Sequence, residues 1–151
     1  MIRYGLGRLV RSAWLAMAVA VVGGGAAPDA VAGQSRADTL AVRAAALDYV
    51  EGWFTADADR MRRALHPDLV KQMPIPDGTL QHSSAEELIE MTSRAGGADR
   101  DWSDAIEVLA IFEDVASVRA DVPGWVDLLH IVRTDDEWRI VHVLWDLRDG
   151  R

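Results

Sequence analysis

The chain contains no cysteine, which removes a disulfide framework, a thiolate zinc site and a cysteine nucleophile together and leaves stability to packing alone. It lacks an apolar run of the roughly 20 residues that a membrane-spanning helix needs. The longest such stretch, Ala13 to Val22, is about half that length. A basic surplus is missing too: 16 Lys and Arg face 24 Asp and Glu, a formal net charge of −8, and such a surface repels nucleic acid and anionic lipid. No internal repeat or low-complexity block is present. No serine or threonine is spaced beside His66-Pro67-Asp68 as a nucleophile would be. What remains is a chain of 151 residues, half of them apolar, long enough for one domain with a real core.

The first residues read as a leader rather than as part of that domain. Arg3, Arg8 and Arg11 precede the apolar run, and small residues follow from Gly23 to Gly33, the three-part pattern of a secretory signal peptide. Ala30-Val31-Ala32 fits the small-x-small cleavage rule and divides the chain into a leader (1–32), a flexible tail (33–37) and a domain (38–151), secreted or periplasmic. A retained anchor is the alternative, and the short run argues against it. The leader's three arginines and Asp29 sum to +2, so the remainder carries −10. After cleavage no membrane association is expected.

The domain opens with helices. Asp38 or Thr39 can cap a first helix, in which Leu40, Ala44, Leu47, Val50 and Phe54 make an apolar stripe with Tyr49 and Trp53 on its flank. A second, short helix turns Ala58, Met61 and Leu65 inward and Arg60, Arg62 and Arg63 outward, and Pro67 stops it. Leu69 to Met73 can pair as a short or edge strand before Pro74 and Pro76, and Pro76-Asp77-Gly78 is a turn. Ser83 and Ser84, three residues ahead of Glu86 and Glu87, form a capping box for a third helix. From Asp104 the period becomes two. Ile106, Val108, Ala110 and Phe112 alternate with Glu107, Leu109, Ile111 and Glu113, and further strands follow over Val115 to Asp121, Trp125 to Arg133 and Trp138 to Leu147. The short connections between them force antiparallel hairpins. The order α-α-β-α followed by consecutive strands predicts an α+β domain with a curved antiparallel sheet packed against three N-terminal helices.

Particular residues add a resemblance to this pattern. Leu47-Asp48-Tyr49-Val50-Glu51-Gly52-Trp53, Asp57-Ala58-Asp59, His66-Pro67-Asp68-Leu69 and Val143-Leu144-Trp145 resemble the NTF2-like superfamily, more narrowly its SnoaL-like and lumazine-binding branch, from about Ala41 to Leu147. The resemblance implies a cone with a pocket in its open end, used by isomerases, cyclases, dehydratases and binding domains alike. Compared residue by residue with ketosteroid isomerases, Tyr49 matches the tyrosine that donates to the developing enolate oxygen. Met73 stands where those enzymes carry the aspartate general base, and a thioether cannot take a proton. His130 stands where they carry a second, protonated oxyanion donor.

These residues give a candidate pocket of Tyr49, Trp53, Met73, Leu128, His130 and Trp145 for a flat, apolar or aromatic ligand, with Tyr49 and His130 orienting it. By the family alignment Val126, Leu128, His130 and Val132 line the pocket while Asp127, Leu129, Ile131 and Arg133 face away. No cofactor is implied. No metal is expected, because His130 and His142 fall on opposite faces and His82 lies in a polar loop. Tyr49 could equally be a packed ring with one buried partner, His66 caps its helix, Asp77 fixes its turn more readily than it serves as a base, and Trp138 packs outside.

Three functions compete. One is an exported small-molecule-binding protein. Another is an isomerase, cyclase or dehydratase in which Tyr49 and His130 polarise a carbonyl and Asp77, Asp127 or water handles the proton. The last is an interaction module. An outer sheet face carrying Ile111, Leu129, Ile131 and Val141 is too apolar for water, which predicts a homodimer through the sheet.

Overall fold

A computed structural model of the chain describes residues 36–97 and 100–148. The predicted leader and most of the tail lie outside the described residues. The first helix, α1, runs Arg36–Thr55, two residues earlier than its caps suggested. It buries Val42, Ala45, Ala46, Tyr49 and Val50, whereas Leu40 is 60% exposed. The apolar stripe is thus rotated from the expected one, and Tyr49 sits at its centre. The rotation follows from alanine content: Ala45 and Ala46 are small enough to press against the sheet, a face that hydrophobicity alone does not favour over the one holding Leu40 and Leu47.

Ala56 takes a left-handed conformation at φ 57° and ends α1, and Asp57 caps α2 (Ala58–Ala64) by accepting from the Asp59 and Arg60 amides. Gly52 allows the two helices to meet. A Cβ there would stand 3.1 Å from the Met61 nitrogen and 3.2 Å from the Asp57 oxygen, so any larger residue would force them apart. Met61, Ala64 and Leu65 are buried, and Arg60 reaches back to Asp48 at 2.9 Å.

The chain enters β1 (Leu65–Pro74) directly from α2 and folds back as β2 (Leu80–Ser84). The expected capping box then starts α3 (Ala85–Thr92), with Ser84 and Glu87 as its reciprocal partners. The remaining strands are β3 (Ile106–Phe112), β4 (Val115–Val122), β5 (Trp125–Thr134) and β6 (Glu137–Leu147). They form one open sheet in the order β2-β1-β6-β5-β4-β3. All neighbours are antiparallel except β1 and β6. The fold is α+β, three helices against a six-stranded curved sheet. The sequence pattern missed only β2, whose polar residues and lack of apolar alternation hide it.

Three registers shift, one of them between Leu65 and Val70 where β1 meets β6. Leu109 is extra in β3 opposite Val118 and Ser117, and Val141 is extra in β6 between Ile140 and His142. Each bulge reverses which alternate residues point inward. Ile106 and Ile111 are therefore both buried while Phe112 is 73% exposed, and Ile140 and Val143 both enter the core.

Leu129 and Ile131, together with Ile111, are core residues, so three of the four residues named for an outer dimer face lie on the inner one, while Val141 lines a groove on the outer face. Trp138 also packs inward and is buried. Among the described residues no helix is long and apolar enough to cross a membrane.

Candidate functional site

Between α1, α3 and the β2-β1-β6-β5 end of the sheet lies a cavity of about 380 Å³, lined by Trp53, Lys71, Gln81, Ser83, Leu88, Met91, Trp125, Trp145 and Leu147. Strand alternation explains the lining. Lys71 pairs with Ser83 in one direction and Val143 in the other, and this row faces the helices. Trp125 is fixed by stacking on Phe54 at 5.6 Å, with Phe54 in turn stacked on the buried Trp102 at 4.0 Å.

Lys71 is the only ionisable residue in that lining, and its side chain is 13% exposed. Its Nζ donates to the Tyr49 hydroxyl at 2.5 Å and to Asp127 Oδ1 at 3.0 Å. Asp127, 1% exposed, also accepts the Tyr49 hydroxyl proton at Oδ1 over 3.2 Å and the Trp125 indole N–H at Oδ2 over 2.8 Å. The carboxylate is thus buried with three donors, one of them a cation, the condition under which a buried charge is tolerated. Nζ also lies 4.8 Å from the Trp145 ring centre and 5.2 Å from that of Tyr49, within cation–π range.

The charges perturb one another. Burial pushes the Lys71 amine below its ordinary value, and the adjacent Asp127 carboxylate opposes that shift without cancelling it. Burial, followed by the Asp127 charge, pushes the Tyr49 phenol well above its ordinary value. Tyr49 therefore remains a neutral hydroxyl.

Of the six residues expected in the pocket, Trp53 and Trp145 line the cavity and Tyr49 stands directly behind Lys71. Met73 shares the inward row of β1 with Lys71 but pairs with Gln81 one step further along and does not line it. Leu128 and His130 are on the other face. Leu128 is exposed, and Asp127, Leu129 and Ile131 are buried, the reverse of the face assignment taken from the family alignment. The alternation of β5 is apolar on both sides, so hydrophobicity could not set its face, and a buried aspartate argued for the wrong one.

His130 instead stacks on His142 with ring centres 5.4 Å apart, bringing together two residues expected on opposite faces. His142 Nε2 lies 3.0 Å from Gln72 Oε1, and Gln72 Nε2 lies 3.3 Å from His82 Nδ1, so His82 belongs to a strand and not a loop. Among the described residues no cluster of three or more His, Asp or Glu side chains is placed to hold a metal. Asp77 takes the structural role weighed for it, accepting from the Thr79 amide and hydroxyl at 2.8 and 2.7 Å. His66 Nδ1 accepts from the Asp68 amide at 3.1 Å.

Lys71 is the residue that pattern reading misses, and Asp127, weighed there as a proton carrier, is its buried partner. A signal existed: of the 16 cationic residues in the chain, Lys71 is the single lysine. Arginine fills every other cationic position, and the single lysine lines the tryptophan-walled cavity.

No curated protein matches the chain significantly. Solved structures share its fold. An NTF2-like protein of unknown function from Silicibacter pomeroyi is 24% identical with a TM-score of 0.61, over 76% of this chain and all of its own. One from Shewanella baltica is 16% identical with a TM-score of 0.64, over 78% of this chain and all of its own. A ketosteroid isomerase-like protein from Erwinia carotovora atroseptica is 17% identical with a TM-score of 0.56, over 77% of this chain and all of its own. At these identities the likeness speaks for the fold alone. The fold is that of NTF2-like proteins. The sequence model of the family described as "Putative lumazine-binding" matches residues 37–146, most of the chain, and the chain therefore belongs to that family.

Proposed function

We propose that the protein is an exported binder of a small, flat aromatic molecule, held in the cavity between Trp53, Trp125 and Trp145 and anchored through an oxygen atom by Lys71. One observation carries this reading: an otherwise uncharged, tryptophan-lined cavity holds one ionisable group, at hydrogen-bonding distance from a buried acceptor and a phenol. Apolar walls supply affinity and a single polar group sets orientation. Lumazine, the ligand in the family's description, is a flat heterocycle with carbonyl oxygens and suits both features. The isomerase-like alternative is less well supported, because the Tyr49 hydroxyl is already given to Asp127 and His130 faces away. The leader supports export.

The test is tryptophan fluorescence during titration with lumazine and with 2-naphthoate. Saturable quenching that disappears in Lys71→Met and weakens in Trp145→Ala is expected. If neither ligand quenches the wild-type protein, the binding reading fails.

A homodimer through the sheet belongs to the same proposal, on a corrected set of residues. The outer face presents Val70, Leu80, Phe112, Val115, Leu128 and Leu144, all exposed, and a groove there is lined by Ala110, His130, Val132 and Val141 among others. Contiguous apolar surface of this kind favours a second copy over water.

A further inference from the structure

We propose that Lys71 is a nucleophilic amine that captures aromatic aldehydes or ketones as a Schiff base inside the cavity. This rests on the cavity being the ligand site and adds a covalent step to it. An ion pair needs only a cation, and arginine fills every other cationic position in the chain. Guanidinium stays charged and bonds a carboxylate in two places, whereas lysine can lose its proton and attack. The one site given to lysine is the one facing the tryptophan-lined cavity.

The geometry suits attack. Nζ has four tetrahedral positions: Cε takes one, and the Tyr49 oxygen and Asp127 Oδ1, at 2.5 and 3.0 Å, take two. Lys71 lines the cavity, and the fourth position is left for a bound molecule. In the neutral amine two N–H groups keep those two acceptors and the lone pair occupies the open position. The walls of Trp53, Trp125 and Trp145 hold a flat carbonyl compound against it.

The step balances without an added reagent. The ammonium gives a proton to Asp127, and the amine adds to the carbonyl carbon, forming the C–N bond as the π electrons move to oxygen. A proton shifts from nitrogen to that oxygen, giving a carbinolamine. The C–O bond then breaks and the hydroxyl leaves as water, carrying the proton that Asp127 had taken. An ammonium and a carbonyl have become an iminium and water, and the Asp127 carboxylate again faces one positive charge. Charge within the buried cluster is therefore conserved, so the fold loses no ion pair when the adduct forms. Lys71 is the catalytic residue in this scheme, and Trp125, which holds Asp127 through its indole N–H, is a positioning residue.

A single lysine makes the test direct, because only the α-amine of the chain competes with it for amine chemistry. The full-length protein is incubated with 6-methoxy-2-naphthaldehyde and sodium cyanoborohydride at neutral pH, and adducts are located by peptide mass mapping. Labelling at Lys71 should be several-fold faster than at the same residue in the urea-unfolded chain, since the cavity holds the aldehyde beside an amine whose charged form burial disfavours. Lys71→Arg, which keeps a cation beside Asp127, should lose the internal adduct entirely. Trp125→Phe should slow labelling and move its pH profile, which a merely structural role for that indole would not do.

Labelling at Lys71 no faster than in the unfolded chain overturns the inference. If 2-naphthoate quenches tryptophan fluorescence in the wild type and no adduct forms, the binding reading stands and the Schiff base falls. If neither occurs, both fall.

Discussion

The two faces of the sheet place polar side chains in the same strands and treat them in opposite ways. On the inner face, Lys71 of β1 and Asp127 of β5 are almost fully buried and joined to Tyr49 of α1 and to Trp125. On the outer face, Gln72 of β1, His130 of β5 and His142 of β6 form a loose row beside exposed leucines and valines. Inside, every charge has a partner because an unpaired one would cost several kcal/mol. Outside, water can supply partners, and a loose row is tolerated. Burial, more than residue type, decides which group is a fixed element and which a variable one.

The largest expected break in this contrast is Asp127→Leu. It leaves Lys71 and Tyr49 facing an apolar group, and urea denaturation should show a loss of about 3–5 kcal/mol. Lys71→Met should cost less, about 1–3 kcal/mol, because Asp127 keeps the Tyr49 and Trp125 donors. If the two variants were equally unstable, the donors would not be sharing the carboxylate as the geometry requires.

On the outer face, Leu128→Arg should leave the unfolding free energy, measured by urea at concentrations where the wild type is also monomeric, within about 0.5 kcal/mol of wild type, since Leu128 is exposed. The same change should turn a dimer into a monomer by light scattering at micromolar concentration. A wild-type monomer would count against the dimer.

The smallest effect is one of pH. Burial and the neighbouring His130 lower the His142 pKa from its ordinary value of 6.5, so the unfolded chain binds this proton more readily than the folded one. Stability contributed by neutral His142 is therefore present above 6.5 and declines as pH falls below it. Urea melts between about pH 5 and 7.5 should show that slope, and His142→Gln should flatten it. An unchanged slope would mean that His142 is not held neutral.

The fold could be read from the sequence because its signals are local. The Ser84–Glu87 capping box, the proline after α2 and the short turns between strands each act over a few residues, and each appears where expected. The site was only half legible. Trp53 and Trp145 could be placed because bulky aromatics near a cone must go inward, but the facing of β5 depends on whether Asp127 has buried partners. Those partners lie 78 and 56 positions away, at Tyr49 and Lys71, and no local pattern reports on them. The bulges added a second obstacle, because an extra residue leaves composition unchanged and reverses everything after it.

That last point has a consequence for the cavity. Trp138 and Ile140 point inward ahead of Val141, and Val143 and Trp145 do so after it. If β6 paired with β5 without the bulge, Val141 standing opposite His130, then His142 and Leu144 would take the inward sites, and Trp145 would leave the cavity wall for the outer face. The protein's choice of ligand is therefore encoded partly in where β6 accommodates its one extra residue. A slip of one position in the pairing, with no residue of the site replaced, would exchange an indole wall for an aliphatic one and bring an imidazole toward Lys71.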